Sequence, residues 1–280
     1  MNPAPILLDG AQGTRLWELA QNAGIARDSV WKYNIEHPEL VARVCREYAE
    51  AGSEIICANT FSANRLSVTR ESAYGAAEVV RAGVEIAKKT LEGTKVRTAL
   101  DIGMLPEFMD PFGDLEEDEV AGIYAEMLSA GVDAGADIIF LETFMDADMI
   151  RVAAEQAKKY SLTVVCSLSF EKNGRTMLGS SVEDIVELLE PIGIDGIGLN
   201  CSLGPDQAVP VIRAFRACTD LPLFFKPNAG VPEPGQLTTG ESPEHFAAQV
   251  EPVLDIVSYV GGCCGTDPRF IREIGKMIGK

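Results

Sequence analysis

Short, continuously apolar runs alternate along this chain with stretches whose apolar positions recur at helical spacing. Eight runs read as strands: Ile6 to Gly10, Ser53 to Thr60, Val96 to Gly103, Ala136 to Thr143, Leu162 to Phe170, Asp195 to Ser202, Pro222 to Gly230 and Asp255 to Gly262. Segments such as Ile55-Ile56 and Ile138-Ile139-Phe140-Leu141 are apolar without alternation, as a parallel strand covered on both faces must be. Between the runs, Leu40, Val41, Val44 and Tyr48 share one helical face, and so do Ile185, Leu188, Leu189 and Ile192. Ser181 with Asp184 three positions on predicts a capping box at the start of the second helix. Thr266 before Asp267-Pro268 predicts the start of the last one, because proline is favoured at the first helical position.

Eight strand-then-helix units in 280 residues, roughly thirty-five residues each, predict a single-domain α/β (β/α)8 TIM barrel over residues 1–280. The competing doubly wound sheet calls for a glycine-rich phosphate turn after its first strand. Asp9-Gly10-Ala11-Gln12-Gly13-Thr14 does not fit the G-x-G-x-x-G spacing. Two insertions interrupt the rhythm, Gln12 to Asn34 and Glu171 to Gly179, the latter with a tight turn at Asn173-Gly174.

A net charge of −18, from 24 basic and 42 acidic residues, argues against nucleic acid or an anionic membrane as partner. The same charge predicts that docking onto a basic patch of another protein weakens as salt rises. Met1 to Pro5 carries no basic residue, and Asp9 breaks the apolar run that follows, so no secretory signal is read. With no apolar stretch of membrane-spanning length, a soluble, cytoplasmic protein is expected, in which thiols stay reduced. Seven cysteines are an odd number that no closed disulfide framework uses up.

In such barrels, polar residues at the carboxyl ends of the strands gather at one mouth, where the chemistry is done. That rule collects Asp9-Gly10, Asn59-Thr60-Phe61, Asp101 to Gly103, Glu142-Thr143, Asn200-Cys201, Asn228-Ala229-Gly230 and Gly261-Gly262-Cys263-Cys264-Gly265. Adjacent residues of a regular strand point to opposite faces, but the flanking glycines permit a bend that turns Cys263 and Cys264 together toward Cys201. Three thiolates suit a zinc ion whose fourth position stays open for substrate, the mark of a catalytic site. Cys45, Cys57, Cys166 and Cys218 sit within apolar patterns and read as small buried hydrophobes. Neither His37 nor His245 is placed as a ligand.

Six segments now carry a resemblance: Asp9 to Thr14, Asn59-Thr60-Phe61, Leu141-Glu142-Thr143-Phe144, Gly198 to Ser202, Lys226-Pro227-Asn228-Ala229-Gly230 and Gly261 to Thr266. In order and content they resemble the signature segments of zinc-dependent homocysteine S-methyltransferases. Asn200-Cys201-Ser202-Leu203-Gly204-Pro205 and Cys264-Gly265-Thr266 are closest to the homocysteine-binding module of cobalamin-dependent methionine synthases. The resemblance implies a zinc ion held by Cys201, Cys263 and Cys264, with homocysteine as methyl acceptor. It also implies that Asp9 and Glu142 receive the acceptor's ammonium. The competing structural roles are turn or helix capping for Asp9, and an ion pair with a buried Arg or Lys for Glu142. The acceptor's carboxylate is expected on backbone N–H groups of the Gly10 to Gly13 turn, Ala11 among them, and of Thr60 and Phe61. Asn228 is expected to occupy the fourth zinc position or to steady the substrate, the competing structural role being a side chain that caps its own turn.

One segment departs from the family: Asp101-Ile102-Gly103-Met104-Leu105-Pro106 replaces the Gly-Pro pair that methionine synthases carry after the third strand. The chain also ends soon after its eighth strand, with no folate-binding barrel or cobalamin module. The methyl group is therefore expected in trans, from methyl-cobalamin on a separate corrinoid protein. Transfer from S-methylmethionine or a methylfolate, and a non-catalytic zinc-thiolate subunit that binds a thiol, stand as alternatives.

Overall fold

Eight parallel strands form one sheet in the computed structural model, which describes residues 4–230 and 240–280. They are β1 (Ile6–Leu7), β2 (Ile55–Cys57), β3 (Arg97–Gly103), β4 (Ile138–Phe144), β5 (Val164–Leu168), β6 (Gly196–Asn200), β7 (Leu223–Lys226) and β8 (Tyr259–Val260). Each pairs with its neighbour in sequence, and β8 returns to pair with β1. A bridge between Leu8 and Ile55, with the Glu54 N–H donating to the Leu7 carbonyl at 2.7 Å, joins β1 to β2. That contact closes the sheet into the expected (β/α)8 barrel and removes the open doubly wound alternative.

The apolar runs divide between two layers. Leu7, Ile56, Leu100, Ile139, Leu141, Leu199 and Phe225 face outward into the helices. Leu8, Ile55, Cys57, Ala99, Ile138, Phe140, Val165, Phe224 and Tyr259 fill the barrel interior. There Phe140 meets Phe224 edge to face at 5.1 Å. Burial on both sides explains why these strands are apolar at every position rather than at alternate ones. Gly198 lets β6 and β7 approach, since a Cβ there would fall 1.9 Å from the Phe224 carbonyl oxygen.

The helix Pro38–Glu50 buries Leu40, Val41, Val44 and Tyr48, as the spacing predicts. The capping box forms in full: Ser181 accepts from the Asp184 N–H, and Asp184 accepts from the Ser181 N–H. The helix it starts, Val182–Leu189, is shorter than the periodicity suggests, because Pro191 tightens Glu190–Ile192 into a 3-10 turn. The last helix, Pro268–Met277, is capped by Asp267 rather than opened at Thr266. The Thr266 hydroxyl instead donates to the Cys263 carbonyl and accepts from the Ala11 N–H, which ties β8's exit to β1's.

Most strands are shorter than their apolar runs. After Cys57 the chain turns, and the Ala58 carbonyl takes the Thr60 N–H at 2.8 Å. The first insertion contains the helix Gln12–Asn22 and the 3-10 turn Val30–Lys32, and it ends inside the short helix Tyr33–Glu36. In the second, Gly174 adopts the left-handed φ of 75° that its turn requires. Cys45, Cys57 and Cys166 are buried as expected, whereas Cys218 is half-buried at the end of the helix Pro205–Cys218. Among the described residues no helix is long and apolar enough to cross a membrane.

Candidate active site

The three predicted thiols converge at the carboxyl end of the barrel. Cys201 follows β6 in the left-handed region, with φ of 63°, and Ser202 beside it has φ of 56°. Such values are rare outside glycine and turn the thiol across the mouth. Cys263 and Cys264 follow β8 in a bend held by the Cys263 N–H on the Pro227 carbonyl and the Ala229 N–H on the Cys264 carbonyl, each at 2.9 Å. The bend needs its glycines. A Cβ at Gly261 would lie 2.5 Å from the Asp9 carbonyl oxygen, and one at Gly262 would strike Thr266 at 2.6 Å.

The sulfurs of Cys201 and Cys264 are 3.8 Å apart, and all three lie within 4.8 Å of one another. Two sulfurs, each about 2.3 Å from one tetrahedral ion, would be about 3.8 Å apart, so the donor set fits zinc. Hydrogen bonds from Cys263 and Cys264 hold the Cys201 thiol down at about 3; in return Cys263 is pushed well up and Cys264 to about 12. The cluster thus favours one thiolate, on Cys201, held by two neighbouring thiols. Asn228 is buried, its side chain also supports the Cys201 thiolate, and its Oδ1 has no partner among the described residues. It stands beside the sulfurs, with an acceptor left over.

Beneath the sulfurs lies a layer of inward polar side chains, each two residues beyond an interior apolar one. Cys57 follows Ile55, Asp101 follows Ala99, Glu142 follows Phe140, and Lys226 follows Phe224, as the period of two dictates. Lys226 is 3% exposed. Its Nζ lies 3.0 Å from Asp9 Oδ1, 3.1 Å from Glu142 Oε1 and 3.7 Å from Cys57 Sγ. The ion pair with a buried lysine, one of the two readings of Glu142, is therefore present, and Asp9 shares it. Burial pulls the Lys226 ammonium down, but its acidic neighbours, Asp9 first and Glu142 with it, outweigh burial and hold the group above its ordinary value. Burial raises Glu142, and raises Asp101 well above the carboxylate range with the Glu142 charge adding to it. Asp101 Oδ1 also has no partner among the described residues. Cys57, Asp101 and Glu142 are close enough together to hold a metal ion, but the lysine ammonium already sits among them.

Asn200 joins the two layers. Its Nδ2 donates to Glu142 Oε2 at 3.3 Å and Thr143 Oγ1 at 2.6 Å and lies 3.9 Å from Cys263 Sγ. Its Oδ1 accepts from the Thr143 N–H at 2.9 Å and the Ser167 hydroxyl at 2.6 Å. Thr143 is the third non-glycine residue with positive φ among the described residues, at 61°, and all three border this site. At the rim, Ala11 and Thr60 have their N–H groups engaged, by the Thr266 hydroxyl and the Ala58 carbonyl. The Thr60 hydroxyl donates to the Asp101 carbonyl at 2.7 Å, and the partly exposed Phe61 ring packs on Gly103.

A family model described as homocysteine S-methyltransferase matches residues 6–278. The chain belongs to this family. Among curated relatives, the methionine synthases of Mycobacterium tuberculosis and Mycobacterium leprae are each 29% identical, over 96% and 97% of the chain. The chain spans about a quarter of their length, 24% in both cases. Among solved structures, the homocysteine methyltransferase MmuM from Escherichia coli superposes in its metallated form with a TM-score of 0.79, and in its apo form with 0.75. These matches cover 98% and 99% of this chain and 96% and 97% of MmuM, at 23% and 22% identity, a likeness of fold.

Two residues of this site have no role that the sequence alone assigns. Lys226 opens the Lys-Pro-Asn-Ala-Gly segment, and only its spacing of two from Phe224 places it inside the barrel. Asn200 stands at the end of its strand, but nothing in one sequence says that its amide joins a carboxylate to a thiol.

Proposed function

We propose that this family member holds one zinc ion through Cys201, Cys263 and Cys264 and presents homocysteine for methylation to methionine. The observation that carries the reading is the convergence of three thiols at the barrel mouth, one amide away from a buried carboxylate. Zinc, when bound, would keep an acceptor thiol deprotonated near neutral pH, where a free thiol of pKa about 8.5 is mostly protonated. The chain's own residues do the rest. Glu142 and Asp9 attract the acceptor's ammonium, and Asn200 fixes the Glu142 carboxylate relative to Cys263. The acceptor's carboxylate falls to the rim of Gly10, Ala11, Thr60 and Phe61. Since the Ala11 and Thr60 N–H groups are already bonded, Gly10 and Phe61 are its principal donors. Asn228 supports the sulfur cluster and offers its unpartnered Oδ1 to whatever enters.

The proposed methyl donor is methyl-cobalamin on a separate corrinoid protein, a reading supported by likeness to one quarter of methionine synthase. A cytoplasmic setting is part of the proposal, because the cluster works only with all three thiols reduced. The test is to load the protein with zinc, measure metal per chain, and supply homocysteine with methyl-cobalamin, S-methylmethionine or methylfolate in turn. Methionine should form with the corrinoid donor. Zinc binding without methionine from any donor would refute catalysis, and a Cys263→Ser variant that keeps full zinc and alkylation of the thiol would refute the site.

A further inference from the structure

We propose that Lys226 is a resident competitor of the acceptor: in the free protein its ammonium occupies the Asp9–Glu142 carboxylate pair that the acceptor's own ammonium must reach. It thereby sets acceptor affinity and the preference for amino-acid thiols over plain thiols. The proposal rests on the acceptor reading above and adds a specificity-determining residue to it.

Four observations support it. First, the lysine is placed by the fold rather than by chance, since it continues the inward register of β7 two positions beyond Phe224. Second, the carboxylates are largely used up. Asp9 Oδ1 holds the lysine, while its Oδ2 accepts from the Cys57 N–H and from Gln12 Nε2, each at 2.9 Å. Glu142 Oε1 also holds the lysine, and its Oε2 accepts from Asn200. Third, the pair is within an acceptor's reach, because the Asn200 amide alone spans from Glu142 to the Cys263 sulfur. A thiol amino acid whose sulfur sits on the cysteines brings its ammonium to an ammonium already in place. Fourth, no free water surface screens the encounter: Asp9, Glu142 and Lys226 are 0%, 4% and 3% exposed. Like charges so close are costly, so the acceptor must push the lysine back or share Glu142 with it. The same lysine makes the empty site tenable, because Asp9 and Glu142 would otherwise face each other with no cation between them.

The test compares two ligands that differ only in the ammonium, homocysteine and 4-mercaptobutanoate, by calorimetry on zinc-loaded wild type and Lys226→Met. The variant should bind homocysteine about tenfold tighter, as expected from removing one close like charge, and 4-mercaptobutanoate no tighter. In metal-free protein, methylammonium chloride should raise the melting temperature of the variant more than sodium chloride does, and more than in wild type. An unchanged or falling ratio of the two affinities, in a variant with wild-type circular dichroism and zinc content, overturns the proposal. Failure of both proteins to bind homocysteine refutes the acceptor reading, and this proposal with it. If Lys226→Met does not fold, Lys226→Gln, whose neutral amide can still donate to one of the two carboxylates, leaves both Asp9 and Glu142 in place and should shift the ratio in the same direction. An unshifted ratio there is equally fatal.

Discussion

Replacing Asn200 by alanine tests whether one buried amide holds the two layers of the site together. Asn200 is fully buried. Its loss leaves the Thr143 N–H without its acceptor and takes one donor from Glu142, while the hydroxyls of Ser167 and Thr143 can rotate toward new partners. A buried group left unsatisfied costs about 1–3 kcal/mol, more if charged. The backbone donor and the carboxylate together therefore imply a loss of about 3 kcal/mol, against a total stability of about 5–15 kcal/mol. Ser167→Ala removes one of the same bonds, along with its own donor, and should cost only about 1 kcal/mol. Urea denaturation of the reduced, metal-free protein measures both, the midpoint moving with an unchanged slope. The double variant should be less damaging than the sum of the singles, because Ser167 loses its partner in either background. An Asn200→Ala cost no greater than that of Ser167→Ala, or strict additivity of the two, would refute the view of Asn200 as a hub.

Further expectations follow from individual contacts. Asp101→Asn should flatten the pH dependence of stability. The folded-state carboxyl is raised, so the native protein keeps a proton that the unfolded chain releases above about pH 4. Stability then falls by up to about 1.4 kcal/mol per pH unit until the folded carboxyl itself ionises, and a pH series of urea midpoints lacking this slope in wild type would contradict the assignment. Gly261→Ala drives a Cβ against the Asp9 carbonyl oxygen at 2.5 Å and should cost about 1–3 kcal/mol while lowering zinc content, read by thermal melting and metal analysis. Asp267→Ala removes the cap of the last helix and should cost about 1 kcal/mol with zinc content unchanged, which separates helix stability from the neighbouring bend.

The fold was legible because a parallel strand buried on both faces can only be apolar, and eight such runs leave few architectures. Strand ends were less legible, because polar residues such as Asn59-Thr60 leave the ladder for the site without any break in the pattern. The three cysteines stood out because thiols are scarce and the flanking glycines announce a bend. Lys226 is hard to read for the opposite reason: a lysine beside a Pro-Asn turn has the pattern of surface, and only its spacing of two from Phe224 brings it indoors. The role of Asn200 depends on Thr143, Ser167, Glu142 and Cys263 at once, a convergence of four segments that no local pattern contains.

The lightest part of the ladder is where β1 lies between its neighbours: two residue pairs with β8 and one bridge with β2, against five pairs between β3 and β4. Asp9 leaves from one side of that seam and Cys263 and Cys264 from the other, while the Asp9–Lys226 pair spans 217 residues of chain. Contacts so distant in sequence form late and slowly, and a chain under synthesis folds from its first residues onward. A nascent chain therefore displays Cys201 long before Cys263 exists, and the sulfur centre comes into being only when the barrel shuts. Closure is in this sense the step that assembles the sulfur cluster, so that a half-made chain carries isolated thiols but not their convergence.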